Sequence, residues 1–225
     1  MDSFLFGRAV DSSLDQHGER QVQALAQAFA GWSSLLVHAS PRRRAQQTAA
    51  AIAAAAGVAV RTAAQLDEVD FGRWAGASFA ALANDQEWRR WNDERSSACT
   101  PAGDSMRAVQ TRVIGHLRDL HEAYPERTVA LVTHGEVIRA ALMYCLGAGL
   151  DDYVRFEIRP ASCTTISVNG DDAQVHGANE IAPSLARPIL AAEGSGTQPI
   201  RIPGTVASTG ALSRAAQENW QGGEL

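Results

Sequence analysis

The sequence contains no lysine, so all 20 of its basic side chains are arginines. It has 25 acidic side chains and a formal net charge of −5. Proteins that mainly bind nucleic acid carry a basic surface, because they must neutralise phosphates along the strand. The mild negative charge therefore predicts that nucleic acid is not a main partner, and any anion site must arise from local placement of arginine.

The sequence also lacks long apolar runs. No uninterrupted apolar stretch approaches the ~20 residues that a membrane-spanning helix needs. Residues 1–8 do not show a basic head followed by an apolar segment, which is the pattern of a signal peptide. We therefore expect neither a signal peptide nor a membrane partner.

Cysteine is scarce, and Cys99, Cys145 and Cys163 show no metal-type spacing. An odd number of separated cysteines does not predict a disulfide framework. Free thiols are typical of a reducing compartment, so we expect a cytoplasmic protein without a metal site. The many alanines and the exclusive use of arginine are compatible with a GC-rich bacterial genome.

What the sequence does contain is a histidine directly after a buried-strand pattern. The apolar residues 128–132 lead into Thr133, His134 and Gly135, and a helix is predicted over residues 137–146. The carboxyl end of a buried strand and the free N–H groups of a helix start meet at one point, which suits a phosphate group.

A second strand-to-helix corner lies earlier in the chain. Residues 34–38 are predicted to form a buried strand, and Ser40 and Pro41 fit the cap and the first position of an alanine-rich helix that ends at Gly57. That helix begins with three consecutive arginines. Because guanidinium groups bind phosphate oxygens in pairs, the two corners together predict a phosphate site.

Strand and helix patterns alternate along most of the chain, which predicts a three-layer α/β/α sandwich with a mostly parallel sheet. A long amphipathic helix is expected over residues 105–123 with a cap near Asp104, and a tight turn at Asn169 and Gly170. One domain is placed at residues 1–183. Residues 184–225 have few large apolar groups, so we expect a disordered tail there.

Four motif segments follow one another in the predicted domain. They are Gly7-Arg8 followed by Asp11, Leu14, Gly18 and Gln21; Ser40-Pro41-Arg42-Arg43-Arg44-Ala45-Gln46-Gln47-Thr48-Ala49; Leu66-Asp67-Glu68 with Phe71-Gly72-Arg73-Trp74-Ala75-Gly76; and Val132-Thr133-His134-Gly135-Glu136-Val137-Ile138-Arg139. This order of motifs resembles the histidine phosphatase superfamily, also called the phosphoglycerate mutase-like family. Within the second segment only Arg42 departs, since that family has leucine there.

The resemblance implies hydrolysis of a small phosphorylated metabolite through a phosphohistidine intermediate, without a cofactor. It implies that Arg44 clamps the phosphate and that His134, as a cation or as a hydrogen-bond donor, stabilises the transferred charge. Glu68 would be the general acid and base, with its pKa raised by water exclusion around Phe71 and Trp74. Four further residues are expected to contact the substrate: Gly7, Arg8, Gly135 and Glu136.

One segment of the family's pattern is missing. The family's first strand ends in Arg-His-Gly, whose histidine is the nucleophile, and the family's spacing places it a few residues before Met1. His17 and Gly18 match the last two residues of Arg-His-Gly, but they follow a polar stretch and not an apolar strand. We therefore do not expect His17 to replace the nucleophile. The missing strand would lie inside the sheet, which predicts two unpaired edges and a gap in the core.

Three functions stay open on this basis. The first is a phosphomonoester hydrolase whose nucleophile lies upstream of Met1. The second is a catalytically inactive phosphate-binding protein or gene fragment. The third is a phosphoglycerate mutase-type phosphotransferase, which is less favoured because the chain lacks the longer insertions that mutases use to hold a bisphosphate. A homodimer is left open, and Arg42 and Arg43 are expected at the surface or in a second layer around the site.

Overall fold

The computed structural model describes residues 4–169 and 172–181. Its helices are α1 (Gln16–Gln27), α2 (Arg43–Ala56), α3 (Phe79–Leu82), α4 (Gln86–Asp93), α5 (Met106–Ala123) and α6 (Gly135–Cys145). Its strands are β1 (Leu36–Ala39), β2 (Val60–Thr62), β3 (Val129–Val132), β4 (Ser162–Asn169) and β5 (Asp172–Ile181). Short 3-10 helices cover Ala64–Leu66, Gly72–Trp74 and Leu150–Arg155. Gly170, with its predicted turn, and residues 184–225, with the predicted tail, lie outside the described residues.

Three parallel strands form the centre of the domain in the order β2-β1-β3. Val37 and Ala39 of β1 pack with α1 and α2 in one apolar cluster. Leu131 of β3 packs against a second cluster, which includes residues of α4, α5 and α6. Helices therefore cover both faces of a parallel sheet, which confirms the predicted three-layer α/β class.

The helix boundaries follow local sequence chemistry, with three corrections to the predictions. Helix α2 begins at Arg43, and its N-cap residue Arg42 makes no side-chain cap, so Ser40 is not the helix cap. Helix α5 is capped by Ser105, not Asp104, because the Ser105 hydroxyl accepts from the N–H of Ala108 at 3.1 Å. Helix α6 begins at Gly135, two positions before the predicted start, and a difference of one or two residues is common at helix ends.

Strands β4 and β5 form a separate antiparallel sheet beside the three-stranded one. Strand β3 pairs with β1 on one side, and among the described residues no strand pairs with its other edge. All four residues of β3 are only half-buried, although β3 is an apolar strand next to the core. One edge of β3 is therefore free to pair with a further strand, whereas the expected second unpaired edge and gap in the core stay predictions.

None of the helices in the described ranges is both long enough and apolar enough to cross a bilayer.

Candidate functional site

The ends of β1 and β3 bring the two predicted corners together. The strands are parallel and in register, with Ala39 opposite Val132, and the N–H of Ser40 donates to the carbonyl of Val132 at 2.9 Å. Ser40 and His134 therefore leave the sheet at the same edge. Helices α2 and α6 both start at this edge, so their free N–H groups lie on the same side as these side chains.

Arg44 lies in the first turn of α2 and points at His134. Its Nη2 atom is 3.2 Å from Nδ1 of His134 and donates to the carbonyl of Gly7 at 3.3 Å. Its Nη1 atom is buried and has no hydrogen-bond partner in the structure. A buried guanidinium nitrogen with a free donor is costly unless a ligand satisfies it, and two donors on one side match a phosphate.

His134 is buried and lies between Arg44 and Ser40. Its Nε2 atom is 2.8 Å from the Ser40 hydroxyl, and its Nδ1 atom is 3.7 Å from a carboxylate oxygen of Glu68. Burial, followed by the positive charge of Arg44 and three further arginines, lowers the pKa of His134 to about 3. Of the two states left open by the sequence, the structure therefore favours a neutral imidazole over a cation.

Glu68 reaches the same point from the loop after β2. One carboxylate oxygen accepts from the N–H of Val69 at 2.8 Å, and the other lies 3.9 Å from Nη2 of Arg44. Burial, together with the negative charge of Glu136, raises the pKa of Glu68 to about 7. A carboxyl group that holds its proton near neutral pH is suited to act as both an acid and a base. Arg44, Glu68 and His134 are called the corner cluster below.

Ser40 and Asp67 contact each other next to the corner cluster, and the sequence did not predict this contact. Ser40 is fully buried, and its hydroxyl lies 3.3 Å from a carboxylate oxygen of Asp67 as well as next to His134. Arg42, which the sequence placed at the surface or in a second layer, is half-buried and pairs with Asp67 at 2.9 Å. Arg43 is exposed, as expected.

Gly7 and Arg8 support the corner cluster from the start of the described chain. Arg8 donates to the carbonyl of Glu68 at 2.7 Å and to the carboxylate of Asp104 at 2.7 Å, so its side chain braces the Glu68 loop. Gly7 has φ +57°, and a Cβ there would lie 2.7 Å from the ring of Phe71. Glycine is needed at this position because a side chain would clash and strain the backbone. The predicted substrate contact of Arg8 stays a prediction.

Glu136 has different partners from those a substrate contact would need. Its two carboxylate oxygens are bound by Arg95 and by Arg139, the latter at 2.6 Å. The guanidinium of Arg95 stacks 3.6 Å over the ring of Tyr153 and is almost fully buried. These two arginines lower the pKa of Glu136 despite its burial. Arg95, Glu136 and Arg139 are called the ion network below, and the predicted substrate contact of Glu136 stays a prediction.

Gly135 begins α6 and has open space around it. A Cβ at this position would meet Ile158 only at 3.9 Å, so packing does not require glycine. The described residues hold no group of three or more histidine, cysteine, aspartate or glutamate side chains that could bind a metal ion. The site thus combines a free guanidinium donor, a neutral histidine and a carboxyl group with a raised pKa at the carboxyl edge of a parallel sheet, an arrangement of an α/β protein that suits an anion such as a phosphate group.

Comparison with known proteins specifies this class further. The model of the histidine phosphatase superfamily (branch 1) matches residues 2–181, and the chain belongs to this superfamily. This confirms the family that the motifs predicted.

Individual relatives agree with this assignment. Phosphoserine phosphatase 1 of Hydrogenobacter thermophilus is 30% identical over 161 residues, which is 70% of this chain and 75% of that protein. The probable phosphoglycerate mutase GpmB of Cronobacter sakazakii is 29% identical over 161 residues, 71% of this chain and 74% of the relative. A mycobacterial glucosyl-3-phosphoglycerate phosphatase solved with inorganic phosphate is 26% identical, with a TM-score of 0.71 over 81% of this chain and 94% of that one. These relatives support a phosphatase function.

Proposed function

We propose that this protein is a phosphomonoester hydrolase that works through a phosphohistidine intermediate and acts on a small phosphorylated metabolite. The observation that carries the proposal is the corner cluster, in which Arg44 keeps a buried donor free beside a neutral His134 and a Glu68 of raised pKa. Each of these properties is unfavourable in a resting protein and becomes useful when an anion binds.

The corner cluster supplies the roles that phosphoryl transfer needs. Arg44 binds two oxygens of the phosphoryl group, and His134 contacts the third oxygen. Glu68 donates its proton to the oxygen of the leaving alcohol while a histidine nucleophile forms the bond to phosphorus. Glu68 then takes a proton from water, which attacks phosphorus and releases phosphate together with the free histidine.

The nucleophile is the finer part of the proposal. Among the six histidines of the sequence, the structure places His134 in the corner cluster, His38 against His116 in the core, and His17 at an exposed position of α1. We propose that the nucleophile lies upstream of Met1, on a strand that pairs with the free edge of β3. A strand parallel to β3 would end at the same sheet edge as His134, so its last residues would reach Arg44.

The intact mass of the protein isolated from its own cells tests this proposal. A mass larger than that of residues 1–225 by at least a strand, with turnover of p-nitrophenyl phosphate, is the expected result. The chain of 225 residues alone is expected to show little or no turnover of this ester. Strong turnover by that chain, abolished by His17→Ala, would show that the nucleophile has been misplaced.

A second candidate is a phosphate-binding protein without catalysis. The observation in its favour is that the corner cluster is complete for anion binding while the described residues bring no second histidine beside Arg44. A native mass equal to residues 1–225, with phosphate bound and no ester cleaved, would establish it. The mutase alternative, which the GpmB-like relative keeps open, predicts isomerisation of a phosphoglycerate without release of phosphate. A cytoplasmic location and a homodimer stay predictions.

A further inference from the structure

A chain of hydrogen bonds runs from Arg44 through His134 to a buried aspartate. Nη2 of Arg44 lies 3.2 Å from Nδ1 of His134, and Nε2 of His134 lies 2.8 Å from the Ser40 hydroxyl oxygen. The Ser40 hydroxyl lies 3.3 Å from Oδ1 of Asp67. Ser40 has no exposed surface, and Asp67 is 9% exposed, so bulk water does not replace these contacts.

Arg44 at one end of this series of hydrogen bonds can only donate, and the carboxylate of Asp67 at the other end can only accept. These two groups determine which atom donates in each hydrogen bond between them. A guanidinium group has donors and no acceptor, so Nδ1 of His134 must accept from Arg44. A neutral imidazole that accepts at Nδ1 carries its proton on Nε2, which then donates to the oxygen of Ser40. The Ser40 hydroxyl is left to donate to Asp67, whose carboxylate accepts and is also paired with Arg42 at 2.9 Å.

We propose that Ser40 and Asp67 are positioning residues that hold His134 as the Nε2–H tautomer, with the lone pair of Nδ1 turned towards Arg44 and Glu68, so that a phosphate group binds together with a proton. The tautomer follows from the hydrogen bonds alone, whereas the statement about phosphate rests on the proposed function.

The proton is required by the charge of the ligand. A lone pair on Nδ1 repels a phosphate oxygen that carries no proton, so the two atoms can face each other only if one of them is protonated. A phosphate monoester loses its second proton with a pKa of about 6, so near neutral pH the monoanion can bring this proton, or the dianion can bind while Nδ1 takes one from water. In both cases one proton lies between Nδ1 and a phosphate oxygen. In the first case no covalent bond of the ester breaks, and in the second an O–H bond of water breaks and the hydroxide ion is neutralised by the buffer.

Nitrogen-15 NMR of the imidazole tests the tautomer on the full chain without ligand. Unprotonated, pyridine-type nitrogens and protonated, pyrrole-type nitrogens have well-separated shifts. We expect Nδ1 of His134 to be pyridine-type and Nε2 to be pyrrole-type at pH 7.5. The opposite assignment, or rapid averaging of the two shifts in the unaltered protein, would overturn the proposal.

Two variants test whether Ser40 causes this state. Ser40→Ala is expected to bring the two nitrogen shifts closer together, because Nε2–H loses its acceptor, and Ser40→Thr is expected to restore the separation. Thr133→Val is the matched control, since its hydroxyl lies next to His134 in sequence but donates to the carbonyl of Leu66 at 2.7 Å. Unchanged shifts in a folded Ser40→Ala protein would remove Ser40 from the proposal.

Titration with inorganic phosphate tests whether phosphate binds together with a proton, and its outcomes distinguish a failure of this statement from a failure of the proposed function. The expected result is that Nδ1 of His134 moves from a pyridine-type to a pyrrole-type shift as phosphate saturates the protein. Saturation with Nδ1 still pyridine-type would overturn the statement about the proton. Absence of any phosphate binding, with the Nε2–H tautomer present, would instead contradict the proposed function and leave the role of Ser40 intact.

Discussion

The corner cluster and the ion network are built from similar residues beside the start of α6, and they differ in whether the buried carboxyl group is paired with guanidinium groups. In the ion network Glu136 is bound by two guanidinium groups, and its pKa is lowered. In the corner cluster a carboxylate oxygen of Glu68 lies 3.9 Å from Nη2 of Arg44, beyond hydrogen-bond distance, and the pKa of Glu68 is raised to about 7. The two carboxyl groups distinguish the clusters, because Nε of Arg95 is buried without a hydrogen-bond partner among the described residues just as Nη1 of Arg44 is. A carboxylate bound by two guanidinium groups indicates a structural role, whereas a buried carboxyl group with a raised pKa indicates a functional site.

The largest expected effect is on the ion network. Arg95→Ala removes one of the two partners of Glu136 and the stacking on Tyr153, and it leaves Glu136 buried with half of its compensation. Breaking a buried pair in this way costs about 3–5 kcal/mol, so we expect a loss of that size in the free energy of unfolding, measured with urea. Arg44→Ala is the matched variant, and it should cost less than half as much. Equal losses would erase the distinction between the two clusters.

The next effect is on the pH dependence of stability. Because the folded pKa of Glu68 is raised, its contribution is fully present below the unfolded value of 4.5 and is lost as the pH rises through about 7. The unaltered protein should lose about 2 kcal/mol of its free energy of unfolding between pH 5.5 and pH 8 through the ionisation of Glu68. The Glu68→Gln variant has no ionisable group there and should not show this loss.

Glu136 provides the control for this experiment. Its folded pKa is lowered, so its contribution is present above its unfolded pKa and is lost only as the pH falls below that value. Glu136→Gln should therefore change the slope between pH 5.5 and pH 8 much less than Glu68→Gln does, because it removes only the smaller contribution to the raised pKa of Glu68, whereas burial of Glu68 stays. A slope that changes in the same way in both variants would mean that the two carboxyl groups do not differ as described.

The smallest effect concerns the pair His38 and His116. Both side chains are buried, as in the ion network, and each has a ring nitrogen without a hydrogen bond among the described residues, like Nη1 of Arg44 in the corner cluster. His38 and His116 stack with ring centres 5.5 Å apart, and both nitrogens of His38 and Nε2 of His116 are buried without a hydrogen-bond partner in residues 4–169 and 172–181. Burial lowers the pKa of both, and for His38 the charges of His116 and Arg61 add to this, whereas Asp119 opposes it for His116.

His116→Leu is expected to stabilise the protein by about 1 kcal/mol at pH 6, because it removes an unsatisfied buried group. The lowered pKa values mean that the contribution of neutral histidine is present above the unfolded pKa and is lost as the pH falls, so the gain should grow between pH 7 and pH 5. Thermal unfolding at several pH values measures this. His17→Gln is the control at an exposed site, and a gain that is independent of pH would argue against the role of protonation.

The sequence predicted the corner cluster because its members stand at strand ends and helix starts, where local patterns are strongest. Arg44 lies in the first turn of the helix after β1, His134 lies just after the end of β3, and Glu68, which lies in a loop, was identified by the family motif. Ser40 was assigned to a helix cap instead, because capping is a local pattern, whereas its contact with His134 joins residues on two strands. No local pattern links Arg95 to Glu136, so the ion network was not foreseen and Glu136 was assigned to the substrate.

The architecture was predictable for the same reason, and its exact boundaries were not. Alternating strand and helix patterns predicted the three layers and the parallel sheet of β2, β1 and β3. The start of α2 at Arg43 depends on tertiary contacts of Ser40 and Arg42 with Asp67, which override the serine-proline signal for a helix start.

Titration calorimetry with inorganic phosphate shows directly whether the corner cluster binds the anion that the free donor of Arg44 fits. The account predicts that the unaltered protein binds phosphate and that Arg44→Ala weakens the affinity at least about tenfold, since charge-assisted hydrogen bonds are worth about 1.5–3 kcal/mol. Arg43→Ala, at the neighbouring exposed arginine, should bind as the unaltered protein does. Equal affinity in the unaltered protein and in Arg44→Ala would contradict the account.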